Sequence, residues 1–365
     1  MTSGKVLVIG SDRDFVTKAQ LDPFFYERRS IRRMLGPSVN YISASTFSEI
    51  GEICERYTSD SVFLFPFWNE SADHAERAME KIRTADPQRK IIFIDPFAQT
   101  SSNYFSVLPY VDWFLKRQRF KNLTDYTKEY AGGTMLTDFL VKQWGIDLEG
   151  WSVNSKIPAG YEHRIVTGWN LGLSKGFRQV LLSKSLCLFR GTVKKDVDIF
   201  CRLSLGPQDR KEWYSRYREI AIKNLSQLTQ HYNVIVSSGF LGSKEFVSAH
   251  QYLHEIKRSR IVFSPFGWGE TCWRDFEAIC YRCLLIKPAM DHIDTEPNIF
   301  VPHQTYVPVK WDLSDLEEKC TYYLKHPDEA AQIVENAVHA YKNYFNQYKF
   351  VKMLNRYIGS AEHLS

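Results

Sequence analysis

The sequence predicts an α/β chain built as two doubly wound parallel-sheet domains, and three observations carry that expectation. The chain has 365 residues, a length that suits two domains better than one. Through the first half, short apolar runs bounded by turn formers alternate with segments of helical spacing, the pattern of strands joined by crossover helices. A second alternating series starts near Asp196 and runs through the other half. The expected division is a first domain over 1–185 that includes the interdomain connection, a second over 186–340 and a terminal helix over 341–365, with the change-over within 175–195.

In the first half, Val6 to Ile9 is an apolar run ending at Gly10, and Val39 to Ser43, Val62 to Phe65, Ile91 to Ile94 and Val111 to Leu115 are the next strands. Thr46 with Glu49 reads as a capping box that opens a helix. Ligands of open parallel sheets sit beyond the carboxyl ends of the strands. That rule selects Asp12 and Asp14 after the first strand, Asn69, Glu70 and Asp73 after the third, and Asp95 after the fourth. A carboxylate so placed can take the proton from an acceptor hydroxyl, and Asp12 and Glu70 are the leading candidates. Taken singly, Asp12 and Asp95 also suit turns or caps. The densest basic run, Lys116 to Lys121, is either a solvated face or a surface for a phosphorylated or lipid-linked acceptor or an acidic membrane. Gly132-Gly133 precedes an amphipathic helix over Leu136 to Trp144, and residues 145–185 read as irregular.

In the second half, Val197 to Cys201 is a strand followed by Arg202 and the polar loop Gly206 to Lys211. A long helix runs to about Leu228, and Val234 to Val236 is the next strand, before the Ser/Gly-rich loop Ser237 to Gly242 that contains Gly239. Ile261 to Pro288 then combines strand, glycine loop, helix and strand. Gly267 and Gly269 let a backbone approach closely, and a glycine loop feeding a helix N-terminus suits an anion. Arg274 and Glu277 lie three apart and share a helix face. A cation beside a carboxylate, next to a phosphate cradle, fits a nucleotide: Arg for the diphosphate, Glu accepting from the ribose.

This stretch resembles the donor site of the GT-B glycosyltransferases. Glu277-Ala278 followed by Cys283-Leu284-Leu285-Ile286 fits that frame, and Arg274 precedes the Glu-Ala as in exostosin-like proteins. Glu270 and Glu277 have six residues between them, where retaining enzymes of glycosyltransferase family 4 usually have seven. The resemblance implies two Rossmann-like domains and a terminal helix that crosses back to the first. It also places Arg202 and Lys211 (or Arg210) on the donor diphosphate and Gly239 in the loop at the base. The implied activity is metal-independent transfer of a sugar from a nucleotide-activated donor to a glycan, lipid-linked or small-molecule hydroxyl, with no cofactor beyond that substrate. A sugar-nucleotide epimerase and a non-catalytic binding subunit of the same fold are the alternatives.

Composition narrows the class. Hydrophobic residues at 44% and charged residues at 24% describe an ordinary globular chain. A net charge of +5 suits an anionic ligand or a weak peripheral contact with an acidic membrane, and does not point to nucleic acid. Seven scattered Cys suit a reducing compartment such as the cytoplasm. Cys280-x-x-Cys283 has no second pair to complete a zinc site.

Overall fold

A computed structural model describes residues 4–11, 13–183, 193–206, 212–239 and 247–358. The first sheet contains β1 (Lys5–Gly10), β2 (Ser38–Ile42), β3 (Ser61–Phe65), β4 (Lys90–Ile94), β5 (Trp113–Lys116) and β7 (Ile165–Thr167) in the order β2-β1-β3-β4-β5-β7. All its pairs are parallel. The second contains β8 (Val197–Ser204), β9 (Val234–Gly239), β10 (Ser259–Phe263), β11 (Leu284–Pro288) and β13 (Val307–Val309), ordered β13-β11-β10-β8-β9 and also parallel. The predicted strands are therefore present within a few residues, and β3 and β11 are buried along their whole length, as strands covered on both faces must be. An unforeseen strand in the first sheet is β7. Its three residues are too short to show a pattern, and it adds to β5 from within the stretch expected to be irregular.

The helices of the first half are α1 (Phe15–Tyr26), α2 (Arg28–Leu35), α3 (Phe47–Arg56), α4 (Ala72–Ala85), α5 (Met135–Trp144) and α6 (Lys175–Leu182). Thr46 and Glu49 form the expected capping box at α3. The sheets change between β7 and β8, and the anticipated boundary at residues 185 and 186 lies outside the described residues. The second half carries α7 (Ser215–Gln227), α8 (Ala249–Lys257), α9 (Trp273–Cys280), α10 (Leu316–Lys325), α11 (Pro327–Asn346) and α12 (Lys349–Ile358).

The terminal helical region does cross back to the first domain, but as two helices. Tyr348 takes a φ of +53°, which a bulky residue adopts only at a chain reversal, and α12 folds away from α11 there. Phe350 packs edge-on against Phe24 and Trp169, with centroids 5.3 and 5.1 Å apart. The Tyr357 hydroxyl donates to the Thr167 carbonyl at 3.0 Å.

The basic run at residues 116–121 is not a surface. Lys116 and Arg117 are buried, and Arg119 pairs with Asp294 at 2.9 Å. The run forms the end of β5 and then β6 (Gln118–Phe120), which pairs antiparallel with β12 (Ile293–Thr295) of the second half. Three of its four charges, Lys116, Arg117 and Arg119, serve the junction between the domains, and Lys121 alone faces solvent. Lys116 Nζ binds the Asp95 carboxylate and the Ser101 carbonyl, and Asp95 also accepts from Ser102 Oγ at 2.8 Å. Asp95 is thus a buried structural ion, neither turn former nor exposed base.

Candidate functional site

In each sheet the chain reverses its direction of addition at one place. In the second sheet that place lies between β8 and β10: β9 adds on one side of β8, then β10 on the other. A crevice opens beyond the carboxyl ends at such a point. The loops that meet there are those after β8 (Ser204 to Gly206) and after β10 (Ser264 to Thr271).

Two arginines converge on this crevice from different helices. Arg274, in the first turn of α9, donates from Nη2 to the Arg202 carbonyl, and Arg218 of α7 donates from Nη1 to the Ser204 carbonyl. Both are partly buried. Each leaves its Nε buried without a hydrogen-bond partner, and neither makes an ion pair among the described residues. Burial, and next the charge of Arg274, push the Arg218 pKa down. Two like charges held together in this way disfavour one another, and an anion between them offsets that repulsion. The Arg218 guanidinium also lies over the Tyr214 ring, 4.4 Å from its centroid.

Glu277 sits one helical turn beyond Arg274. One carboxylate oxygen accepts from the Tyr252 hydroxyl of α8 at 2.7 Å, and the other has no partner among the described residues. Burial raises its pKa, opposed by the Tyr252 hydrogen bond and the charge of Arg274.

The glycine loop differs from expectation in what approaches it. A Cβ on Gly267 would strike the Arg218 guanidinium, and one on Gly269 would strike the Ala98 carbonyl of the first domain. Gly267 therefore makes room for a cation and Gly269 for the other domain. Two amides just ahead of α9 are also engaged. Thr271 N donates to Gln118 Oε1 at 3.1 Å and Cys272 N to Asp275 Oδ2 at 2.9 Å. Asp275 is paired in turn with buried Lys287 at 3.1 Å.

The remaining predicted residues fall into three groups. Arg202 directs its guanidinium at Glu255, through Nε at 2.5 Å and Nη2 at 2.9 Å, and at Ser237 Oγ at 2.6 Å. It braces β8 against α8, and its backbone carbonyl is what reaches Arg274. Gly239 ends β9 and its carbonyl accepts from Leu205 N at 3.1 Å. Glu270 is buried at the domain junction, accepting from Gln118 Nε2, with its Oε1 3.6 Å from His292 Nε2. In the first domain, Glu70 accepts from Phe47 N at 2.8 Å, capping α3, and contacts His74 Nδ1 at 2.8 Å. Asp12, Arg210 and Lys211 lie outside the described residues. Arg218 was missed because it stands in the first turn of α7 with no flanking motif; the four-residue step from Tyr214 to Arg218 is the faint signal available.

The junction itself is tight. Besides Gln118, Gln99 Nε2 donates to the Trp268 carbonyl at 2.5 Å, and Phe15 faces Trp273 at 5.9 Å. Adding a methyl at Gly269 forces the loops apart, so Gly269→Ala is expected to lower stability by about 1–3 kcal/mol and to enlarge the radius of gyration in solution scattering. An unchanged scattering profile would show that the contact does not hold the domains together.

Two Asp-x-Asp triplets, Asp12-Arg13-Asp14 and Asp196-Val197-Asp198, flank strands. Their described carboxylates are committed: Asp14 caps α1 through Thr17, Asp196 pairs with Arg258 and Asp198 with Arg260. Among the described residues no three His, Cys, Asp or Glu side chains gather as a metal site, and no helix is long and apolar enough to cross a membrane. Cys280 and Cys283 are buried free thiols.

Comparison with known proteins agrees with this architecture. Residues 216–356 match the family described as "Glycosyl transferase-like". No curated protein matches the sequence. Among solved structures, the N-terminal domain of trehalose-6-phosphate phosphatase from Candida albicans aligns with a TM-score of 0.54 at 11% identity, covering 98% of this chain and 97% of that one. A glycosyltransferase from Rickettsia africae aligns with a TM-score of 0.50 at 13% identity, covering 98% of both chains. An alpha-glucosyltransferase solved with UDP and a 13-mer DNA aligns with a TM-score of 0.50 at 7% identity, covering 96% of this chain and all of that one. The chain thus has the two-domain fold of the GT-B glycosyltransferases, with a second domain that matches a glycosyl transferase-like family.

Proposed function

We propose that the protein transfers a glycosyl group from a nucleotide-activated sugar to an acceptor hydroxyl, binding the donor at the crevice between β8 and β10. One observation carries the reading: Arg218 and Arg274, both without an ion-pair partner, meet beside the glycine loop, and the open carboxylate oxygen of Glu277 lies one turn further along α9. The family match spans all three residues. The diphosphate occupies the space between the guanidinium groups, and Glu277 accepts from the ribose. Two fixed cations then stabilise the leaving diphosphate without a metal ion. Lys211 and Gly239, at the end of β9, remain donor-side candidates.

The acceptor binds against the first domain, across the junction formed by Gln99 and Gln118. Its proton goes to a first-domain carboxylate. Asp12, directly after central strand β1, is our first candidate, and Glu70 is the second because its carboxylate already holds α3 and His74.

The test is incubation with a panel of sugar nucleotides labelled in the sugar, with and without glycan, lipid-linked and small-molecule acceptors. Labelled product that appears only with acceptor is expected. An epimerised donor in its absence would identify an epimerase, and no turnover or binding of any nucleotide would leave a binding subunit. Glu277→Gln removes a charge from the ribose contact and is expected to lower affinity for the preferred nucleoside about ten- to a hundredfold by calorimetry. Because burial raises the Glu277 pKa, nucleoside affinity should fall as pH drops through that raised value, above the ordinary glutamate range. A nucleoside carries no phosphate titration to obscure the effect. Affinity that stays flat on the acid side would remove Glu277 from the ribose contact.

A further inference from the structure

The strongest unneutralised charge outside the donor crevice lies on the face made by α2 and α12. These two helices contain Arg28, Arg29, Arg32, Arg33, Lys349, Lys352 and Arg356, and no carboxylate. All seven side chains are exposed, and none forms an ion pair among the described residues. Arg33 stands over the Tyr348 ring, 5.9 Å from its centroid, so the two helices present one continuous surface. The acidic groups beside this face are Glu27, buried at the N-terminal end of α2 and 3.9 Å from Arg178, and Glu296, partly buried, which faces Lys349 and Arg356.

Apolar groups are set among these charges. Phe25 is 51% exposed, Met34 42% and Tyr348 38%. Beside Arg28 opens a recess of about 290 Å³ lined by Val8, Phe24, Phe25, Val39 and Tyr41. In α2 only Ile31 is buried; the rest of the helix is turned outward, and it carries arginine on successive turns. A polyanion in solution satisfies the arginines but offers nothing to Phe25, Met34 or the recess. An acidic bilayer satisfies both, with headgroups for the cations and an apolar boundary for the ring and the thioether.

We propose that the α2–α12 face docks the protein on an anionic lipid bilayer. The arginines and lysines draw it to the negative surface, each raising partition about fivefold. Phe25, Met34 and Tyr348 enter the headgroup boundary. The surface shares no residue with the donor crevice, so the proposal stands independently of the reading given above. It also relocates the membrane contact that the sequence suggested for residues 116–121, where Lys116 and Arg117 are buried and Arg119 is paired with Asp294, leaving only Lys121 exposed.

Full-length protein is sedimented with phosphatidylcholine vesicles that contain or lack phosphatidylserine. Partition is expected only with the anionic lipid, and it should fall with added salt. Combined Arg29→Glu, Arg32→Glu and Arg33→Glu should lower it about a hundredfold or more with the melting temperature unchanged, since these side chains touch solvent. Combined Phe25→Ser and Met34→Ser should lower it about tenfold, while binding of the same variant to duplex DNA stays at the wild-type level. Equal partition on both vesicle types, or full partition of the arginine variant, would overturn the proposal. So would tight DNA binding by wild type with vesicle binding indifferent to Phe25 and Met34, which would mark the face as a site for a soluble polyanion.

Discussion

Arg218→Gln is expected to weaken binding of a nucleoside diphosphate about a hundred- to ten-thousandfold while leaving the unliganded melting temperature unchanged or higher. The two halves of this expectation come from one arrangement. Arg218 holds its charge partly out of water, beside the charge of Arg274, with its Nε unpartnered. In the empty protein those features disfavour the ionised group. They are offset only by the Ser204 carbonyl and the Tyr214 ring. Glutamine keeps a donor for Ser204 and removes the repulsion. Once a diphosphate arrives, the same cation makes charge-assisted bonds in a site of low polarity, worth about 1.5–3 kcal/mol apiece. Two such bonds give the loss stated. Calorimetry with the diphosphate and a melting curve without it measure the two halves separately. A variant that melts several degrees lower and still binds normally would make Arg218 a structural brace.

Lys116→Met is expected to cost about 3–5 kcal/mol of stability, the cost of leaving a buried charge unpaired. Asp95 and Lys116 are both fully enclosed, and burial pushes their pKa values in opposite directions, Asp95 up and Lys116 down, against their mutual attraction. Removing Lys116 strands Asp95 beside only Ser102, and Asp95→Leu strands Lys116 in the same way. The double variant Asp95→Leu with Lys116→Met removes both charges together and should recover most of the loss. Urea denaturation of the four proteins closes the cycle. If the single and double losses simply add, the pair is not coupled and the charges are separately satisfied.

The parts of the fold that were legible in the sequence are those with a regular physical signal. Apolar runs such as Val62 to Phe65 and Leu284 to Lys287 declare buried parallel strands, and Thr46 with Glu49 declares a helix start. Arg274 and Glu277 were legible as neighbours on one helix face because their spacing fixes which side chains lie together; that they hold a nucleotide is what we propose. Other features depend on tertiary neighbours and leave no local trace. β7 is three residues that pair only because β5 is an open edge. Residues 116–119 read as a basic surface because sequence carries no burial signal for a lysine whose partner, Asp95, is twenty-one positions away. Arg202 looked free for a phosphate until Glu255 of α8 was placed beside it. Arg218 looked like any helix-face arginine until Gly267 left the space into which it reaches.

The central claim is that one crevice presents cations to a diphosphate and a carboxylate to the adjoining ribose. Calorimetric titration of wild type, Arg218→Gln and Glu277→Gln with the same nucleoside, with and without its diphosphate, tests it most directly. The account predicts that wild type binds the diphosphate far more tightly than the nucleoside. Arg218→Gln should lose most of that difference, keeping the part Arg274 supplies, and keep nucleoside affinity, whereas Glu277→Gln should weaken both ligands by the same factor of about ten to a hundred. Equal affinities for nucleoside and diphosphate in wild type, or equal diphosphate affinities in all three proteins, would contradict it.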